Sequence, residues 1–328
     1  MRGLILLIAA LVLAGCTGPG ATPELVTPAG GATPDASPTP ASPAPNATHP
    51  ASPSPSNTGA PVANGTSPSA PSNASTNASA PATWASPDAA KIRPGIQVIS
   101  SAGQCTSNFV YTSRDNKTAY IGIAAHCVTG SKVGDEVDIG PGVARGTIAY
   151  SSWYMTGHSD PGPGGSEAGA SCSKEKDAST CNYNDFVLVA IAASDRASVS
   201  PSMMHFGGPT ALAASGAVQM LDKVLTYGNS GLRGGVDQAS WKEGYVADHS
   251  DSWTVSVDTV TPGIPGDSGS GVMTGDGKAL GIFVTLNGDG SGGVTVLDKA
   301  IAWAATHGGP DVQLATAPLL DPGLLPAA

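Results

Sequence analysis

The sequence predicts an all-β domain, closed by one C-terminal helix, behind a long coreless leader, and three observations carry that expectation. Residues 17 to 90 hold 16 of the 28 prolines, with Ala, Ser, Thr and Asn filling most of the rest and Trp84 as the only aromatic residue. No core can form there. From Lys91 onward, apolar residues come in short runs broken by Gly, Asp and Asn, the pattern of strands joined by turns. One segment alone, 298–307, has helical spacing, and about 238 residues is a usual length for a single all-β domain.

The chain opens with one charge, Arg2, and the apolar run Leu4-Ile-Leu-Leu-Ile-Ala-Ala-Leu-Val-Leu13, which is short for a bilayer span and has the form of an export signal over residues 1–15. Its end, Leu13-Ala14-Gly15-Cys16, resembles a bacterial or archaeal lipoprotein lipobox, which implies lipidation of Cys16 and a membrane partner through that anchor. An ordinary cleaved signal with an incidental cysteine is the other reading. Residues 16–90 are expected to be a disordered or polyproline tether, with an end-to-end distance of roughly 50 Å as a coil. Asn-x-Ser/Thr triplets begin at Asn46, Asn64, Asn73, Asn77 and Asn116, a frequency that so Asn/Ser/Thr-rich a composition yields by chance.

The domain is expected over 91–309, followed by a tail at 310–328. Strands are expected at 118–124, 186–191, 223–227, 253–257, 279–284 and 293–297, each rich in Val, Ile, Leu or aromatic residues. The segment 298–307 places Ile301 and Ala304 or Ala305 on the side of Leu297 and stops at Gly308-Gly309-Pro310, so it is the helix. Residues 160–182, rich in Gly and Ser and holding two cysteines, are expected to form a surface excursion. The domain has 22 acidic and 14 basic residues, a formal charge of -8, and no basic stripe. A nucleic-acid partner is therefore not expected.

Chemistry enters at Pro265-Gly266-Asp267-Ser268-Gly269-Ser270. A serine among small residues can sit on a tight turn with its hydroxyl exposed and backbone N–H groups aimed at a reacting carbonyl oxygen. Such a string alone is usually just a turn, and the partners decide. Ala124-Ala125-His126-Cys127 follows a strand and supplies a base; Asn184-Asp185-Phe186 heads another and supplies a carboxylate to hold the imidazole. The order His126, Asp185, Ser268 matches one of the known chain orders of the serine triad.

These blocks, Ala-Ala-His-Cys, Asn-Asp-Phe-Val-Leu and Gly-Asp-Ser-Gly, resemble those of trypsin-like (chymotrypsin-fold) serine peptidases of the prokaryotic secreted type, over about 100 to 306. The resemblance implies two six-stranded antiparallel β-barrels with a cleft between them, His126 and Asp185 on the first and Ser268 on the second. It implies peptide or protein substrates, an acyl-enzyme, a monomer, and an oxyanion hole from the N–H groups of Gly266 and Ser268. It also implies a Cys105–Cys127 disulfide, leaving Cys172 and Cys181 for a second, although other pairings are open. Neither a cofactor nor a metal is called for, and a zinc reading is poorer because no Cys-x-x-Cys pair exists.

Departures from that family shape further expectations. The domain opens Arg93-Pro94-Gly95-Ile96-Gln97, where proline obstructs cleavage after Arg93, so activation by a new N-terminus is not expected. A buried Asp267 would then need an internal cation, and Arg233 is the candidate. Six residues before Ser268 stands Pro262, which does not favour a basic substrate side chain. The pocket walls, expected at Thr261 to Ile264, Val284-Thr285-Leu286 and Gly292-Gly293, are neutral, and their glycines lean toward a medium or large uncharged side chain.

Three rival readings compete with a peptidase. An esterase order, Ser268, Asp298, His307, fails because nine residues of one helix separate the last two by roughly 13 Å. A metal site at His158 and Asp160, or at His249 and Asp251, rests on ordinary loop residues, and His49 and His205 look incidental. A silent homologue serving as a surface binding module is the alternative that the sequence leaves standing.

Overall fold

The computed structural model describes residues 83–159, 171–249 and 251–320. The export segment, Cys16, His49, Asp160 and the triplets at Asn46, Asn64, Asn73 and Asn77 lie outside them. In chain order the elements are β1 (Gln97–Ser100), β2 (Gly103–Thr106), β3 (Val110–Ser113), β4 (Ala119–Ile123), β5 (Glu136–Ile139), β6 (Ala144–Ser151), α1 (Ser152–Thr156), α2 (Ala178–Tyr183) and β7 (Val187–Ile191). Then come β8 (Ala211–Leu212), β9 (Lys223–Tyr227), β10 (Trp241–Asp248), β11 (Thr254–Val260), β12 (Gly271–Thr274), β13 (Lys278–Leu286), β14 (Gly292–Val296), α3 (Leu297–Thr306) and β15 (Val312–Leu314).

Two sheets result. The second closes on itself: β9, β10, β11, β14, β13 and β12 pair antiparallel in a ring, with the short β8 added in parallel at the start of β13. Its interior holds Val224, Val246, Val255, Val257, Val272, Leu280, Phe283, Val294 and Val296. The alternation of β10, in which Lys242, Gly244 and Val246 are buried and Glu243 and Tyr245 exposed, shows how the pleat sorts side chains. The first sheet runs β15-β3-β4-β7-β6-β5-β1-β2. It has eight strands rather than six: β1 to β7 all belong to it, and the chain after α3 returns to pair with β3 as the eighth. The expected all-β fold of chymotrypsin type stands; of the two six-stranded barrels expected, one is a closed six-stranded ring and the other is this eight-stranded antiparallel sheet.

A larger apolar cluster joins the sheets, with Phe109, Ile121, Phe186 and Leu188 from the first meeting Leu225, Met273, Ile282 and Val284 from the second. The helix α3 buries Leu297, Ala300 and Ala304, lies against β13 and β14, and carries the chain back toward the first sheet. Each expected strand is present within a few residues. Those not expected, β1, β2, β3, β5, β6 and β10 among them, are short or interrupted by Gly, Lys, Arg or Gln, so their apolar residues form no run.

Both ends of the expected domain extend further than 91–309. Upstream, the Ala85 N–H donates to Val199 O at 2.9 Å, and Arg196 lies over the Trp84 ring at 4.2 Å. Arg93 donates to the carbonyls of Pro87, Ser202 and Met203, each at 2.9 Å, which ties the bond after it to the body of the domain. Downstream, the expected tail supplies β15, and beyond it Ala317 N donates to Pro209 O at 2.8 Å and Leu320 N to Phe206 O at 2.9 Å. No helix among the described residues is long and apolar enough to cross a membrane.

Candidate active site

The histidine is positioned by the turn at the end of β4. The strand ends at Ile123, the chain turns through Ala124 and Ala125, and His126 begins a short 3-10 turn, His126–Val128. Cys127, next in line, is bonded to Cys105 on β2, across 22 residues of sequence. The disulfide thus pins the imidazole's turn to a neighbouring strand. The other bridge, Cys172–Cys181, ties the excursion to α2. Both pairings are those implied by the sequence resemblance, and stable disulfides mark an oxidising, extracytoplasmic setting.

Asp185 is fully buried at the head of β7. Its Oδ2 lies 2.6 Å from His126 Nδ1, and its Oδ1 accepts the backbone N–H of His126 at 3.0 Å and that of Ala125. A carboxylate only accepts, so in this contact Nδ1 is the donor and carries a proton. Ser152 brackets the aspartate, its hydroxyl donating to Asn184 O at 2.6 Å and accepting from Phe186 N at 2.9 Å. That bracket was not foreseen, since a lone serine at a helix start carries no signal of it.

Ser268 sits on a turn strung between the sheets. Its carbonyl accepts Thr106 N, the end of β2, at 2.8 Å, and lies 3.9 Å from Cys127 Sγ beside the imidazole. The next residue, Gly269, has φ of +89° and lies so close to the first sheet that a β-carbon there would overlap Thr106 O and stand 3.1 Å from Ala124 N. The Ser268 turn therefore abuts the same backbone that carries His126.

The orientation of the turn's N–H groups is dictated by peptide planarity. Ser230 Oγ donates to Pro265 O at 2.6 Å, which fixes that peptide and turns the Gly266 N–H the opposite way. Asp267 O accepts Ser270 N at 3.1 Å, which does the same for the Ser268 N–H. Neither N–H has a protein acceptor among the described residues. Gly266 O is held in turn by Thr106 Oγ1 at 2.8 Å and Gln104 Nε2 at 3.2 Å. Backbone N–H donors held in place beside a serine are the kind of group that an oxyanion requires.

Beneath the turn, Asp267 is almost fully buried with two cations on one oxygen: Arg233 Nη2 at 2.5 Å and Lys242 Nζ at 3.1 Å. Arg233 is the cation expected from the sequence; its Nη1 donates to Thr261 Oγ1 and its Nη2 also to Pro262 O, so it clasps one expected pocket wall as well. Lys242 was missed. Its signal was available, for in Trp241-Lys-Glu-Gly-Tyr-Val the alternation turns Lys242 to the side of Val246. Burial pulls its pKa down to about 8, outweighing the attraction of Asp267, and Arg233 adds to the lowering.

The remaining candidates fall elsewhere. Val284 is buried in the inter-sheet cluster, Leu286 is half exposed at the strand end, and Gly293 packs under Thr285. Asp298 accepts from Ser215, while His307 stacks on Trp303 with ring centroids 3.8 Å apart, so neither is directed at Ser268. His158 stacks on Trp153, His205 stacks on Trp241, and Asp251 accepts from Ser179 and Trp253. Donor atoms of Cys105, His126 and Cys127 do converge within 4.8 Å, but both sulfurs are spent in the disulfide, which leaves one ligand.

No protein-family model and no curated sequence matches the chain. Among solved structures it is similar to protease A of Thermobifida fusca, at 16% identity and a TM-score of 0.42, over 69% of this chain and 98% of that one. It is similar to a glutamic acid-specific serine protease described as using a histidine triad in substrate binding, at 16% identity and a TM-score of 0.44, over 68% and 100%. The Rv3671c protease of M. tuberculosis H37Rv matches at 16% identity and a TM-score of 0.40, over 65% and 88%. All three are described as proteases, the second as a serine protease.

Proposed function

We propose that the chain is an exported serine endopeptidase, working as a monomer and tethered to the cell envelope through a lipid on Cys16. The observation that carries the catalytic part is the 2.6 Å contact of buried Asp185 with His126 Nδ1, beside a serine turn whose Gly266 and Ser268 N–H groups have no protein acceptor among the described residues. In the reaction, Ser268 Oγ attacks the scissile carbonyl carbon while its proton passes to His126 Nε2. The carbonyl oxygen takes the negative charge and is met by the Gly266 and Ser268 N–H groups. The C–N bond then breaks, His126 returns the proton to the leaving amine, and water repeats the sequence on the ester. Loss of one oxyanion donor typically costs about 10²- to 10³-fold in turnover.

The test is covalent. The full chain is treated with a serine-directed fluorophosphonate and the adduct located by mass spectrometry, in wild type and Ser268→Ala. Labelling of Ser268 in wild type and none in the variant is expected. A folded wild type that stays unlabelled is a binding module on the same architecture. Palmitate incorporation dependent on Cys16 checks the anchor.

A further inference from the structure

We propose that Phe283 fills the recess beside Ser268 that would receive the substrate's side chain, so that this enzyme cleaves after small uncharged residues, alanine and glycine above all. The inference rests on the peptidase reading. Phe283 is bonded directly to the nucleophile turn: its N–H donates to Ser270 O at 2.8 Å and its carbonyl accepts Gly269 N at 2.7 Å. Its side chain therefore cannot be far from the site, and its direction decides what room is left.

That direction is visible from the glycines. A β-carbon on Gly263, in the segment leading into the turn, would lie 2.5 Å from Phe283 Cζ and 2.6 Å from Cε1. On Gly292, at the start of β14, it would overlap the far edge of the same ring. The phenyl ring is thus in contact with both segments, 261–264 and 292–293, between which a substrate side chain would have to pass. Gly293, next along, is covered by the Thr285 hydroxyl. The pairing register of β13 with β14 slips between Phe283 and Thr285, a bulge of the kind that re-aims side chains near active sites.

The glycines of the two walls were expected to leave space for a medium or large side chain. They leave space for the chain's own Phe283 and Thr285 instead. With the ring only 5% exposed and packed in the interior of the closed barrel, it has no other place to go without opening a cavity there. Between Gly263, Gly292 and Gly293 the ring and the Thr285 hydroxyl leave little room for a substrate side chain. Arg233, the cation on that wall, is engaged by Asp267, Thr261 and Pro262 and does not offer a charge to an acidic substrate.

A peptide ester series differing only at the residue before the scissile bond tests this with the full-length chain. In wild type, kcat/KM is expected to be at least about tenfold higher for alanine than for leucine or phenylalanine, the discrimination that a few methylenes of clash supply. In Phe283→Ala the order should reverse toward leucine, methionine and phenylalanine, while the rate on the alanine ester falls less than the rate on the large esters rises. Phe283→Leu, which keeps the barrel filled, guards against a variant that fails to fold and should accept valine. Wild type that turns over the phenylalanine or glutamate ester as fast as the alanine ester overturns the proposal while leaving the peptidase reading intact. Absence of any fluorophosphonate adduct on Ser268 overturns both.

Discussion

At the scale of single residues, the chain solves one electrostatic problem twice. Asp267 must be buried to shape the turn, and a buried carboxylate without a partner is costly, so Arg233 and Lys242 share it. Arg233→Ala leaves Lys242 in contact yet frees the wall at Thr261 and Pro262. The expected outcome is a kcat lower by on the order of 10²-fold, the cost of a small misplacement of oxyanion donors, with KM less affected. An Arg233→Ala enzyme with full kcat would dismiss the role. Removing both cations, in Arg233→Ala/Lys242→Met, strands the carboxylate and should cost about 3 to 5 kcal/mol in urea unfolding. Lys242 has its own pH signature. Its ordinary pKa of 10.5 is lowered to about 8 on folding, so between those values the unfolded chain binds the extra proton and stability rises with pH. Lys242→Met should remove that rise between about pH 8 and pH 10, read as the urea midpoint against pH. Tyr227, whose pKa burial raises, works in the opposite sense above its ordinary value of 10, which bounds the window.

Elements decide whether these residues meet. The strand β2 is an edge of the first sheet, and its last residue bonds the Ser268 turn of the second, so the turn is held only if Gly269 can lie flat against Thr106 and Ala124. Gly269→Ala should destabilise by on the order of 3 kcal/mol, through both its positive φ and the clash, and should abolish phosphonate labelling. A variant with wild-type melting and full labelling would show that the two sheets approach less closely there. The proposed triad residues were legible because each sits next to an apolar run: His126 after β4, Asp185 before β7, Ser268 in a glycine turn. What the sequence hid lies in strands with no run to announce them. Gln104 and Thr106 on β2 act across space, and linear spacing carries no trace of the contacts they make; the alternation of β10 turns Lys242 inward but does not say that Asp267 is its partner. Phe283 was hidden differently, because it looks like any core residue of β13 until the partners of its ring are known.

For the whole molecule, the functional unit is larger than the segment that the apolar pattern marked. β15 pairs with β3, and Val312 and Ala315 are buried against the first sheet. A chain ending at Gly309 should therefore lose about 2 kcal/mol from Val312 alone, more with the strand, and a calorimetric melt unchanged by that truncation would contradict it. The seam between the sheets has a further consequence for how such an enzyme ages. Ser268 O is bonded from one half and Phe283 clasps the same turn from the other, so each half contributes part of a site that neither holds alone. On the proposed peptidase reading, catalysis is expected to end with the first slip of one half against the other, while both sheets are still folded. The half-life of activity on warming is a clock for that seam, and it should run ahead of the loss of β-structure seen by circular dichroism.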